Sequence, residues 1–223
     1  DFVGHPLLDS VRPTVDRETF RRATGTESVP LVGLLPGSRV QEIRRILPAM
    51  AGAVPLLSRG RGPVRTVLGC APDIEDGLYR NIIGNADIIM MRGRTYDIMA
   101  HADALVVTSG TATLEAGISG TPMTIVYRTS PFTFAAGKML VKVPDIGLIN
   151  IVAGRRIVPE LWQDLVTPER IAESTLRFLN DDAYRSETKR LLVEASARLG
   201  ASGASKRAAA IAREMLDQKR SAQ

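Results

Sequence analysis

Ala104-Leu105-Val106-Val107-Thr108-Ser109-Gly110-Thr111-Ala112-Thr113-Leu114-Glu115 is the stretch that decides the fold. Its first four residues form a short apolar run, the pattern of a buried strand. From Leu114 to Ile118 the apolar spacing turns helical. Between the two lies a turn of small residues. A strand, a tight turn and a helix place unpaired backbone N–H groups and about half a positive charge at the helix N-terminus. An anion can approach such a backbone because nothing bulky stands in its way. Glu115 falls one turn into the helix, where a carboxylate meets sugar hydroxyls beside phosphates. The plainer alternative is a capped helix, with Ser109 or Thr111 as N-cap and Glu115 completing a capping box.

Working outward, residues 29–35 form a second apolar run, read as a buried parallel strand. Pro36-Gly37-Ser38-Arg39 then delivers a basic side chain to that strand's C-terminal end. Ile43, Ile46, Leu47, Met50, Val54 and Leu57 follow at the spacing of an amphipathic helix. Pro48 interrupts it at a cost of about 3 kcal/mol, which predicts a kink or two helices. Strands are expected at 64–69, 86–91, 104–107 and 123–127, and Phe2-Val3 reads as a strand end. Helices are expected at 16–23, from an Asp73 N-cap to Ile83, at 95–102 and at 111–119. Short loops with strands and helices in alternation predict an α/β fold, a Rossmann-like parallel sheet with helices on both faces. Ligands bind such sheets outside the carboxyl ends of the strands, where both turns lie.

Beyond the sheet, residues 131–143 suggest a helix carrying Lys138 and Lys142 among Phe132, Phe134, Met139 and Leu140. Residues 145–150 read as a short strand or loop, and 158–163 as the start of a helical stretch. Thr167 before Pro168 is a helix start. Helices then run over 182–199 and 205–217, the last with a stripe of Ala208, Ile211, Ala212 and Met215. The expected domain division is an α/β unit at 1–165 and a helical segment at 166–223.

Composition narrows the function. Among 223 residues, 44% are hydrophobic and 24% charged, the balance of an ordinary globular chain. Aromatics are 4%, too few for base-stacking platforms that bind single strands. The net charge of +5 comes from basic residues interspersed with acids, as in Glu18–Arg22, which favours phosphorylated ligands or anionic headgroups over nucleic acid. Cys70 is the only cysteine and His5 and His101 the only histidines, so disulfide and His/Cys metal sites are not expected. His5 reads as a turn histidine and Cys70 as a small buried residue. The first residues, Asp1-Phe2-Val3-Gly4-His5-Pro6, include no initiating Met, and the expectation is a piece of a longer protein.

Arg39 on one turn and Ser109, Gly110, Thr111, Ala112, Thr113 and Glu115 on the other make a complementary set. A guanidinium pairs with phosphate oxygens, helix N–H groups cradle them, and a carboxylate takes ribose hydroxyls, the needs of a nucleoside diphosphate. Gly-x-Gly-x-x-Gly, the P-loop and Gly-x-Ser-x-Gly are all absent.

The sequence also resembles the lipid-A-disaccharide synthase family, glycosyltransferases of the GT-B fold. The matching blocks are Phe2–Pro6, Leu34–Arg39 with Glu42-Ile43, and Ser109–Glu115. Further blocks are Pro131–Phe134, Leu140–Lys142, Asn150 with Ala153–Arg155, and Val158–Leu161. They run in family order over about residues 1–165. One departure is Ile149, where the family has Pro, which implies a less rigid loop before Asn150. The resemblance implies transfer of 2,3-diacylglucosamine from UDP-2,3-diacylglucosamine to 2,3-diacylglucosamine 1-phosphate (lipid X), with release of UDP and no metal or other cofactor. It implies the C-terminal, donor half of a GT-B fold with C-terminal helices, the unit at 1–165 being the UDP-sugar donor-binding domain and the segment at 166–223 closing the fold. The acceptor half and its catalytic acid/base lie outside this chain, and the fragment alone is expected to be inactive. It implies that Arg39 meets the donor diphosphate, residues 109–113 hold it, Glu115 holds ribose and Asn150 contacts donor sugar or phosphate. Ser38, Glu160 and Gln163 are weaker candidates; for Glu160 and Gln163 a helix-terminal carboxylate and a solvated amide are the alternatives. It further implies a cytoplasmic location peripheral to the inner membrane of a Gram-negative bacterium and a possible homodimer. The basic and apolar residues at 132–142, with Arg155 and Arg156, suit an anionic membrane surface, or equally a core helix with a basic outer face. A UDP-sugar epimerase on the same fold and a non-catalytic nucleotide-sugar-binding module are the rival readings.

Overall fold

A computed structural model describes residues 2–129 and 145–221. The helix expected at 131–143, with Lys138 and Lys142, lies outside the described residues.

Six parallel strands form one sheet: β1 (Leu31–Leu35), β2 (Arg65–Cys70), β3 (Ile89–Arg92), β4 (Ala104–Thr108), β5 (Met123–Tyr127) and β6 (Glu160–Trp162). Their order across the sheet is β3-β2-β1-β4-β5-β6. β1 and β4 are fully buried and sit side by side, with Leu35 opposite Val107. From β1 the chain proceeds outward through β2 and β3; from β4 it proceeds the other way. The order therefore reverses between β1 and β4, and a crevice opens there at the strands' carboxyl ends.

Alternation along each strand feeds two cores. Val32, Leu34, Ala104 and Val106 join α3 (Val40–Arg61) and α8 (Pro168–Asn180) on one face. Leu31, Leu35, Leu105 and Val107 join α5 (Thr95–His101), α6 (Thr111–Ile118) and α9 (Asp182–Ala197) on the other. The remaining helices are α1 (Leu7–Ser10), α2 (Arg17–Ala23), α4 (Asp76–Ile83), α7 (Leu148–Ala153) and α10 (Ala204–Ser221). The α/β fold with a parallel sheet covered on both faces is thus as the sequence predicts. Thr167 caps α8, as expected, and Asp16, read from sequence as the first residue of a helix, is the N-cap of α2.

Five local expectations are corrected. The helix α3 runs unbroken through Pro48 and Pro55, so it is one helix and not two. Both prolines lie on the exposed face of the helix. Residues 158–163 are not helical; they form β6, paired to β5, and a 3₁₀ turn at Gln163–Leu165. Residues 145–150 contain the start of α7 rather than a strand or loop, and Ile149 does not loosen it, being fully buried against Gly117. Asp73 is not the N-cap of α4, whose first residue is Asp76. Phe2 and Val3 are not in a strand. On α10, Ala208, Ala212 and Met215 are exposed and Ile211 half-buried.

The central strand β1 passes directly beneath α5. A Cβ added at Gly33 would lie 2.5 Å from Ile98 Cγ2 and 2.6 Å from Leu105 Cδ2. Gly33→Ala should overpack this core and cost about 1–3 kcal/mol, read as a lower urea midpoint with an unchanged m-value.

Candidate functional site

The turns after β1 and β4 face each other across the crevice. Gly37 has φ +102°, and a Cβ there would lie 2.5 Å from a Glu42 carboxylate oxygen, so the first turn demands glycine. Arg39 precedes α3, and its exposed guanidinium donates to Glu42 Oε1 at 2.9 Å. Gly110 has φ +145° and occupies the N-cap position of α6. No side chain caps that helix. The expected Ser109 or Thr111 cap and the Glu115 capping box are therefore not formed. The first-turn N–H groups of Thr111 and Ala112 stand at the helix N-terminus, where intrahelical bonding leaves them without partners.

The side chains around this turn are differently engaged. Ser109 donates its N–H to Val126 O at 2.9 Å and its hydroxyl to Ile146 O at 2.8 Å. Thr113 is buried; its hydroxyl donates to Gly110 O at 2.8 Å and accepts from Leu148 N at 3.0 Å, tying α6 to α7. Glu115 Oε1 accepts from the Tyr96 hydroxyl at 3.0 Å. Burial, reinforced by the Glu115 charge, pushes the Tyr96 phenol above its usual pKa, which keeps it a donor.

The cleft between the turns has a volume of about 390 Å³. It brings together Ser38, Arg39, Ser109, Gly110, Thr111, Ala112 and Glu115. Thr113 lies behind its wall. Sequence reasoning did not count among the site residues Glu42, Gly69 near the end of β2, Ala71 and Pro72 after it, Thr95 and Thr108, all of which line it. The strand-end rule reaches the turn after β2, since β2 is the other neighbour of β1.

Asn150, Glu160 and Gln163 do not enter the cleft. Asn150 is fully buried; its amide donates to Val158 O (2.9 Å) and Glu160 Oε1 (2.8 Å), and its Oδ1 accepts from the N–H groups of Ile157 (2.9 Å) and Val158 (3.1 Å). Glu160 is also buried and accepts from Ile146 N, Gly147 N and Trp162 Nε1 at 2.9, 2.9 and 3.0 Å. Gln163, with φ +48°, clasps the backbone of Thr129 through both ends of its amide. The solvated amide and the helix-terminal carboxylate are both replaced by buried bonding. Glu160 holds the Ile146-Gly147 backbone, and Ile146 holds Ser109, so this network braces the cleft from behind. Among the described residues no group of three His, Cys, Asp or Glu side chains is placed to hold a metal ion.

Comparison with known proteins places the chain in a family and a fold. The family profile Lipid-A-disaccharide synthetase matches residues 1–214, and the chain belongs to that family. A lipid-A-disaccharide synthase of Syntrophus aciditrophicus is 43% identical over 95% of this chain and 56% of its own length. One of Geobacter sulfurreducens is 40% identical over 96% of this chain and 57% of its own. The chain thus spans somewhat over half the length of these curated relatives. Among solved structures, the calicheamicin glycosyltransferase CalG4 aligns with a TM-score of 0.56 at 18% identity, over 84% of this chain and 42% of that one. A putative UDP-N-acetylglucosamine 2-epimerase from Listeria monocytogenes aligns with a TM-score of 0.54 at 12% identity, over 82% and 45%. The fold is therefore that of one half of a GT-B protein.

Glu160→Ala should remove the acceptor of four buried or half-buried donors, leaving Asn150 only its bond to Val158 O, and cost about 3 kcal/mol or more. Arg39→Ala, removing an exposed ion pair, should cost less than about 1 kcal/mol. Urea unfolding of the two variants side by side checks the contrast.

Proposed function

We propose that the cleft binds the nucleotide of a UDP-sugar and that the chain is the donor half of a lipid A glycosyltransferase. The transferred group is 2,3-diacylglucosamine, carried by UDP and accepted by lipid X, giving the lipid A disaccharide 1-phosphate and UDP. The observation that carries the reading is the pairing across one crevice of the Arg39 guanidinium with the uncapped N-terminus of α6. Arg39 pairs with the diphosphate, exchanging its Glu42 partner for phosphate oxygens. Ser109, Gly110, Thr111 and Ala112 present the helix end to it, and Ser38 lies beside Arg39. These groups offset the negative charge that develops on the leaving UDP without a metal. Glu115, held by Tyr96, accepts from ribose hydroxyls. Asn150, Glu160 and Thr113 position the cleft wall rather than touch donor.

Residues 1–165 serve as the donor-binding unit and 166–223 as the segment that closes the GT-B fold. The acceptor site and the catalytic acid/base belong to the remaining length of the relatives. On this reading the isolated chain binds donor and does not turn over. No helix among the described residues is long and apolar enough to cross a membrane. Access to acylated substrates is then by peripheral contact with the cytoplasmic face of the inner membrane, and assembly as a homodimer fits the same picture.

Calorimetric titration of the chain with UDP, ADP and GDP tests the reading: UDP should bind most tightly, and equal affinities would overturn it. Glu115→Ala should weaken UDP about tenfold or more at an unchanged melting temperature, and Tyr96→Phe less so. An unchanged UDP affinity in Glu115→Ala would remove Glu115 from the ribose role.

A further inference from the structure

At the opposite edge of the sheet, where the strands begin, lies a second cleft of about 440 Å³. Five cationic residues from three helices line it, Arg17 and Arg21 of α2, Arg61 of α3, and Arg185 and Lys189 of α9, against the two acids Glu27 and Asp103. Asp103 is fully committed: it accepts from Arg17 at 3.0 Å, from Arg21 at 2.6 Å and from Leu31 N at 2.8 Å. Arg185 is half committed, to Asp182 at 2.7 Å and Phe178 O at 3.2 Å. The side chains of Arg61 and Lys189 form no hydrogen bond or ion pair among the described residues. The Nε of Arg21 is buried without a partner.

Helix capping does not account for the excess. Basic residues often gather at helix C-termini to satisfy the last carbonyls. Here two of the last carbonyls of α3 are served by other groups: Gly60 O accepts from Asn180 Nδ2 at 3.3 Å and Ser58 O from Gly62 N at 3.0 Å. Phe178 O, at the end of α8, is taken by Arg185. Arg61 and Lys189 are left over, with one uncommitted acid, Glu27, facing them.

We propose that this cleft binds a phosphate-bearing anion, with Arg61 and Lys189 supplying charge-assisted hydrogen bonds to its oxygens and Arg185 adding a third charge. The ligand class is a phosphate monoester or diester, from either a soluble metabolite or a phospholipid headgroup. The site is separate from the nucleotide cleft, lying at the other ends of the same strands. Its occupation does not depend on the function proposed above.

Amide chemical shifts of the ¹⁵N-labelled chain, followed during titration with glycerol 3-phosphate against chloride at matched ionic strength, test the soluble source. Co-sedimentation with phosphatidylglycerol vesicles against phosphatidylcholine vesicles tests the headgroup source. Saturable shifts at Glu27, Ser28 and Lys189 are expected, or retention by the anionic vesicles, or both. Arg61→Ser and Lys189→Ser should each weaken the response about fivefold or more. Arg59→Ser, which removes the same charge from α3 outside the cleft, should weaken it less than twofold. Melting curves of all three variants confirm that they fold. UDP affinity should be unchanged in each, which separates this site from the nucleotide cleft. Loss in Arg59→Ser equal to that in Arg61→Ser, or neither saturable shifts nor selective vesicle binding, would overturn the proposal.

Discussion

The pairing of β1 with β4 is the constraint on which the rest depends. These two strands lie adjacent and parallel with their ends level, Leu35 against Val107, yet the chain leaves them toward opposite faces. A right-handed crossover sends α3 to the face it shares with α8, and the connection after β4 sends α6 to the other. Two helix N-termini therefore diverge from neighbouring strand ends, and no backbone fills the gap between them. The crevice is a product of topology; only its lining is left to side chains. Gly37 and Gly110 complete it because each turn needs a positive φ, and glycine leaves the backbone open to an approaching group.

A buried carboxylate holds the second rim of this crevice. Glu160 sits in a strand of only three residues, where an unpaired charge would be costly. Four donors converge on it, two of them backbone N–H groups of Ile146 and Gly147, and that convergence makes the site tolerable. The arrangement transmits order: the clamped Ile146 carbonyl takes the Ser109 hydroxyl, and the Leu148 N–H takes the Thr113 hydroxyl. The turn after β4 is thereby anchored to a segment some forty residues away in sequence. A single carboxylate thus stiffens the small-residue turn without touching the cleft.

These two features differ in how far sequence revealed them. The β1 and β4 runs are apolar from end to end, and the α3 stripe repeats at helical spacing, so the strands, helices and their alternation were legible from local pattern. The turns at 36–39 and 108–115 were legible because glycine and small residues at strand ends have few other uses. Glu160, Asn150 and Gln163 were recognised as special and given the wrong kind of neighbourhood. The family resemblance set them at donor or cleft, whereas Asn150 and Glu160 are bonded to each other and to nearby backbone groups, and Gln163 to the backbone of Thr129. A three-residue strand containing a charge has no local signature, and residues 158–163 read as helical for that reason. Tyr96 was missed on the same principle: its link to Glu115 exists only because α5 and α6 share one face of the sheet.

The cleft itself is electrostatically uneven, and the unevenness gives it direction. Glu42 and Glu115 both line it, so it is not a general anion trap. Positive potential is confined to Arg39 and the N-terminus of α6, while Glu115 presents a carboxylate one turn deeper. A ligand that is anionic throughout is repelled by the two acids; a neutral one leaves Arg39 and the helix end unused. A nucleoside diphosphate has an anionic end and a hydroxyl-bearing end, and only one orientation sets both against complementary groups. Arg39 rests on Glu42, an exposed contact worth at most about 1 kcal/mol. For a nucleotide held as proposed, a phosphate group offering two or more charge-assisted bonds would outcompete that contact, so Glu42 would keep the guanidinium at the mouth of the crevice without withholding it.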